Sequence, residues 1–202
     1  GTLSSFTATS STVYTVIITP TADTATGSGS ISVAGATFTD AAGNSNTASS
    51  ATAITYDTLA PTVSLTRTGS GTLKSGQTDT ITFTLSEAAT DFAVGDITVT
   101  GGTLSSFTAT SATVYSVVFT PTADTATGSG SISVAGATFT DTAGNSNTAS
   151  SATTISYDTL APTVSLVRTG SGTLKSGQTD TITFTLSEAA TDFAVGDITV
   201  SD

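Results

Sequence analysis

The chain has no cysteine, no histidine, no methionine and no tryptophan. Without cysteine there are no disulfides and no thiolate metal sites. Without histidine the usual general base and the usual transition-metal ligand are both missing. Cations are scarce: four Lys and Arg stand against fifteen Asp and Glu, for a net charge of −11. That sign argues against nucleic acid, whose phosphates need Lys and Arg, and against anionic membrane surfaces. No apolar run reaches membrane-spanning length and no signal peptide is visible, so no direct membrane insertion is expected in this stretch. Gly1 falls inside a repeat, so the chain reads as a fragment and missing targeting signals mean little. Serine and threonine abound, but nothing is placed to activate them. A Ser–Lys pair would rest on Lys74 in a Gly/Ser loop, and the acids sit in short loops rather than paired in a cleft. An enzyme is not expected.

The 202 residues are dominated by internal similarity. Gly1-Thr2-Leu3-Ser4-Ser5-Phe6 returns as Gly102-Thr103-Leu104-Ser105-Ser106-Phe107, and the 101-residue offset holds to the end. The copies differ by small swaps such as Ile18 for Phe119, Ala41 for Thr142 and Thr66 for Val167. Such a period is too long for a solenoid coil and fits one domain per repeat. Only 9% of residues are charged, so this is no disordered acidic tail.

Within the period the pattern alternates. Seven strands are predicted: 62–67, 78–85, 96–100, 104–109, 113–120, 131–140 and 152–157. Ile81, Phe83 and Leu85 alternate with Thr80, Thr82 and Thr84; Tyr115, Val117 and Phe119 share one face. Ile132, Val134, Ala137 and Phe139 are expected inside, with a bulge or bend at Ala135-Gly136. Turn residues separate the strands at Gly69-Ser70-Gly71, Gly101-Gly102, Gly128-Ser129-Gly130 and Ala143-Gly144-Asn145. No helix is expected, only a short turn within 86–94. The predicted fold is all-β: tandem immunoglobulin-like β-sandwiches, about seven strands per 101-residue repeat. On this reading residues 58–158 are a complete repeat. Residues 1–57 are the C-terminal half of one, and 159–202 the N-terminal half of the next. A half sandwich exposes an apolar face and open edges. Residues 159–202 of one copy are therefore expected to complete 1–57 of another, in a head-to-tail row; the alternative is a window on a longer continuous fibre.

The joint between repeats is Tyr56-Asp57-Thr58-Leu59-Ala60-Pro61-Thr62-Val63, which returns as Tyr157 to Val164. Proline suits a strand entrance and pushes its predecessor to extended geometry. The set Asp57 to Val63, Ser86-Glu87-Ala88, Asp91-Phe92, Asp96-Ile97-Thr98-Val99, Gly101 to Ser105 with Phe107, and Phe139 to Asn145 resembles the tandem bacterial Ig-like domains of giant secreted adhesins. These build the stalks of repeats-in-toxin and biofilm adhesins. The resemblance covers both periods. It implies a β-sandwich, an extracellular place on the bacterial cell surface, a spacer role between anchor and binding tip, and stiffening by calcium near domain junctions.

In such a sandwich the loops after the second and sixth strands share a pole with the entering joint. That gathers Asp57, Glu87, Asp91, Asp141 and Asn145, hard oxygen ligands of the kind Ca2+ takes. The equivalent junction ahead would use Asp158, Glu188 and Asp192, with Asp40 and Asn44 from another copy. Taken alone, Asp141 to Asn145 reads as an ordinary turn. Joined by Asp57 and Glu87, whose like charges repel without a cation, it reads as a calcium site. Asp23, Asp79 and Asp124 read as solvated charges, and Phe92 and Phe107 are not assigned to core or surface. The expected function is a non-enzymatic spacer whose partners are neighbouring repeats or further copies. The alternative is a module that binds carbohydrate, ice or another cell directly.

Overall fold

The computed structural model describes residues 1–201. Its strands are β1 (Thr2–Ala8), β2 (Tyr14–Thr19), β3 (Gly27–Ile31), β4 (Thr52–Tyr56), β5 (Val63–Arg67), β6 (Asp79–Leu85), β7 (Ile97–Thr100), β8 (Gly102–Ala109), β9 (Val114–Pro121), β10 (Gly128–Val134), β11 (Thr153–Tyr157), β12 (Val164–Arg168) and β13 (Ile182–Leu186). The fold is all-β, as the alternation of Thr with Ile, Val and Phe predicts. Along β6, Ile81, Phe83 and Leu85 are buried while the threonines between them stay accessible. Along β9, Tyr115, Val117, Phe119 and Pro121 face inward.

Two sheets form from the central strands. One has the order β5-β6-β9-β8, the other β11-β10-β7, and every named pairing is antiparallel. Between them lies one core: Val63, Leu73, Ile81, Phe83, Leu85, Phe92, Ile97, Tyr115, Val117, Phe119, Ile132, Val134, Phe139, Ile155 and Tyr157. Among the described residues every buried large hydrophobic lies between Val63 and Tyr157. The strands outside form only two-stranded pairs, β1-β2, β3-β4 and β12-β13. Each keeps the register of its central counterpart, down to the bulge that sets Ser4/Thr7 out of step as it does Ser105/Thr108. Their inward faces are open to solvent.

Three details differ from the sequence reading, and the open assignment of Phe92 is settled. The strand expected over 131–140 stops at Val134. Ala137 is exposed and left-handed, with φ of 59°, so it cannot continue a ladder. Phe139 still reaches the core, because the buried Asn147 holds its loop: Oδ1 accepts from the N–H groups of Thr138 and Phe139, and Nδ2 donates to the carbonyls of Ala135 and Thr148. Asp79 is buried rather than solvated, and pairs with Arg67 at 2.8 Å while accepting from Gly69 N–H. Phe92 is a core residue, its ring packed against Phe83, Phe107, Tyr115 and Phe139. The turn expected within 86–94 is a short 3-10 segment at Val94–Asp96.

The Phe119 ring needs the absence of a side chain beneath it. A Cβ on Gly130 would stand 2.5 Å from its Cζ. Gly130→Ala overpacks a fully buried ring and is expected to cost about 1–3 kcal/mol, read as a lower urea midpoint with unchanged slope.

Candidate metal site at the Asp57 joint

Tyr56 ends β4 and Val63 begins β5, so six residues make the joint. It is fastened to both sides. Toward the N-terminal strands, Thr58 Oγ1 donates to Thr21 O at 2.7 Å and accepts from Thr24 N–H, while Thr58 N–H donates to Thr24 O. Toward the central sheets, buried Pro61 accepts from Thr148 N–H at 2.9 Å, and Thr62 N–H donates to Ser86 Oγ. Asp57 Oδ1 accepts from Leu59 N–H, closing a local turn.

Two loops meet Asp57. Glu87 follows Ser86, just past the end of β6. The loop after Phe139 carries Asp141, whose Oδ1 accepts from the N–H groups of Ala143 and Asn145 at 2.8 Å each and whose Oδ2 accepts from Asn145 Nδ2. The exposed loop Asp40 to Asn44 makes the same three bonds at 2.9 Å. The turn is thus a local property of Asp-x-Ala-Gly-Asn, and tertiary structure only positions it. Positioning comes from an antiparallel bridge between Ala89 and Asp141 and from Thr90 N–H donating to Thr140 O.

As a result, carboxylate oxygens of Asp57, Glu87 and Asp141 lie within 4.8 Å of one another. Oxygens sharing one Ca2+ at about 2.3–2.6 Å can stand at most ~5 Å apart, so the three can hold one ion. Asn145 completes the rim: its Nδ2 lies 3.3 Å from Asp57 O and 2.8 Å from Asp141 Oδ2. Turning that amide over would present its oxygen instead.

The electrostatics are unbalanced. Asp141 is 2% exposed. Burial raises its pKa, but the hydrogen bonds from Asn145, Ala143 and Gly144 outweigh that and hold it below the ordinary value. Glu87 is pushed the other way, by burial first and then by the charges of Asp141 and Asp57. Its Oε1 is shut off from solvent and has no hydrogen-bond partner. No Lys or Arg relieves the trio: among the described residues the only ion pairs are Arg67–Asp79 and Arg168–Asp180.

The remaining residues fall elsewhere. Asp91 is not in the group; its Oδ1 accepts from Thr140 N–H at 2.8 Å, so it locks the two loops together. At the next joint, Asp158 Oδ1 accepts from Leu160 N–H, and Glu188 Oε1 is again buried without a partner. Asp192 is exposed, and Asp40 and Asn44 stand free on the far segment. Two contributors were not singled out from sequence, Thr58 and Asn147. The signal for Thr58 is present as the repeated Asp-Thr-Leu before proline.

A carboxyl whose folded pKa is raised stabilises the fold below its unfolded value and loses that contribution as pH rises through the folded value; a depressed one behaves oppositely. Glu87 is the first kind and Asp141 the second. In chelator, Glu87→Gln is therefore expected to stabilise the protein at neutral pH, because burial and the charges of Asp141 and Asp57 then no longer oppose a carboxylate there. The gain should close as pH falls below the ordinary glutamate range. Thermal melts across pH measure it; equal melting points at every pH would show that Glu87 carries no such penalty.

Comparison with known proteins agrees with this architecture. A family described as the bacterial Ig-like domain matches residues 1–56, 57–157 and 158–202. No curated protein and no solved structure matches. Members of the family are structural β-domains, commonly extracellular or surface-borne and typically non-enzymatic. No helix among the described residues is long and apolar enough to cross a membrane. With the family matched along its length in three segments that meet at the Asp57 and Asp158 joints, the chain belongs to the bacterial Ig-like domains.

Proposed function

We propose that the chain is a stretch of a spacer: a row of rigid sandwiches that holds a bacterial surface adhesin or extracellular fibre extended. Residues 58–158 are one complete bead, with 1–57 and 159–202 belonging to beads on either side. Ca2+ bound by Asp57, Glu87 and Asp141 fixes the angle between beads. The observation that carries this is the position of the trio. Asp57 lies in the joint itself, while Glu87 and Asp141 lie on the bead it enters, so one ion couples hinge to body. Glu87 Oε1, buried and unpartnered, supplies the unmet demand that a cation would satisfy. The backbone O of Asp57, the turned amide of Asn145 and water would fill the remaining places.

Near-identity of the copies supports a spacer, since each repeat carries the same surface. Low charge density keeps that surface unsticky, and the acidic sign keeps beads from collapsing onto each other.

Ca2+ at about a hundredfold over its dissociation constant is expected to add roughly 2.7 kcal/mol to the central bead. Its melting temperature should rise, and small-angle scattering should show a narrower spread of bead angles. Asp57→Asn with Asp141→Asn should remove both effects. Identical melting and scattering in Ca2+ and chelator would overturn the cation's role. A wide spread of angles in saturating Ca2+ would overturn the spacer.

A further inference from the structure

One loop of the central bead reaches from one sheet to the other. Between β5 and β6 the chain turns through Gly69 to Gln77, and Leu73 within it is buried. Leu73 forms a parallel bridge with Tyr157, the last residue of β11. Its N–H donates to Ser156 O at 3.0 Å, and its carbonyl accepts from Asp158 N–H at 2.8 Å. The loop is braced from behind. Arg67 Nε donates to Asp79 Oδ2, Arg67 Nη2 to Gly71 O, and Gly69 N–H to Asp79 Oδ1. That brace is local, because Arg168, Gly170, Gly172 and Asp180 repeat it bond for bond. Yet Leu174 there is 50% exposed where Leu73 is 8%. Bracing shapes the loop, and seating Leu73 against β11 is a separate, tertiary event.

We propose that this contact is a clasp that carries tension through the bead. The load path follows from which ends meet. The entering joint passes from Pro61 into β5, and β11 passes out into the joint at Asp158. Pro61 O accepts from Thr148 N–H, on the approach to β11, while Leu73, beyond the end of β5, meets the end of β11. The first and last strands therefore run the same way and are tied near both poles. A pull between neighbouring beads draws β5 by its start and β11 by its finish, in opposite directions along their axes. The tying hydrogen bonds run between the strands rather than along them, so they are sheared together and none opens until all slip. A hairpin pulled apart at its free end gives up its bonds one at a time. Both joints lie within the chain, and the path runs from one to the other. The direction of load rests on the spacer reading; the bonds of the clasp do not, and no cation takes part in them.

Single-molecule pulling on the full chain in chelator tests this, since the Asp57 site is then empty. Held by its two ends, the chain loads the central bead through its joints. The absence of native cysteine allows a second direction of pull. Handles at Ser111→Cys and Ala135→Cys, both exposed, draw the start of β9 from the end of β10 at one pole and leave the clasp unloaded. Leu73→Ala unseats the clasp, whereas Val117→Ala trims the core at a fully buried position on β9. Pulled through the joints, Leu73→Ala is expected to unfold about tenfold faster at a given force, and Val117→Ala within about twofold of the parent, because its packing survives until the clasp slips. Pulled through the cysteine handles, Leu73→Ala should unfold at the parent's rate. If alanine prevents folding, Leu73→Val should show the same split on a smaller scale. Equal acceleration of the Leu73 variant in both directions, none through the joints, or as much from Val117→Ala, overturns the clasp. None of these results bears on the bead angles, by which the spacer itself is judged.

Discussion

A β-ribbon two strands wide has one apolar face and nothing to bury it against, and the whole arrangement follows from that constraint. Burial of a side chain such as Phe or Val is worth about 1.5–3 kcal/mol, and a two-stranded pair gains almost none of it. The central strands escape by stacking two sheets over one core. Phe119 shows how tight that core is, lying over Gly102 and Gly130 where any Cβ would collide with it. The outer pairs have nearly the same sequence and the same register, yet their side chains stay wet. Local structure is therefore not what separates a folded bead from an open one; the presence of the other half is.

The joint is governed by a different balance. Its backbone is satisfied by Thr58 on one side and Pro61 on the other, so the chain does not pass between beads as a free tether. Charge is where the balance fails. Asp141 is content, since its own loop supplies three donors within hydrogen-bond reach. Glu87 has none, and faces two carboxylates. Four basic residues cannot serve, because both arginines are engaged with Asp79 and Asp180, and Lys74 and Lys175 sit in exposed loops. A site built this way stores repulsion that a divalent ion can relieve.

Much of this was legible beforehand, and the exceptions have reasons. Strict alternation marked β6 and β9 to within a residue or two, because period-2 burial leaves a strong imprint on sequence. Alternation could not say that β10 ends at Val134. Ile132, Val134 and Phe139 are all buried, but Phe139 arrives by way of Asn147 and a left-handed Ala137 rather than along a strand. Asp79 was misjudged because its partner Arg67 lies twelve residues away across a hairpin, and pairing leaves no local trace. Asp91 was grouped with the acids of its pole, and it does sit near them in the chain. Thr140 N–H claims its carboxylate, which no spacing rule reveals.

By itself the sequence determined the period, the alternating faces, the proline-marked joint and the Asp-x-Ala-Gly-Asn turn, since each depends on residues near in sequence. Asp40 to Asn44 proves the last point by forming that turn in the open. Tertiary structure alone decided which acids stand together, which aromatic rings are dry and which carboxylate oxygen goes unpartnered. Those outcomes depend on what stands across the gap between sheets, and two nearly identical copies, one covered and one bare, differ most there.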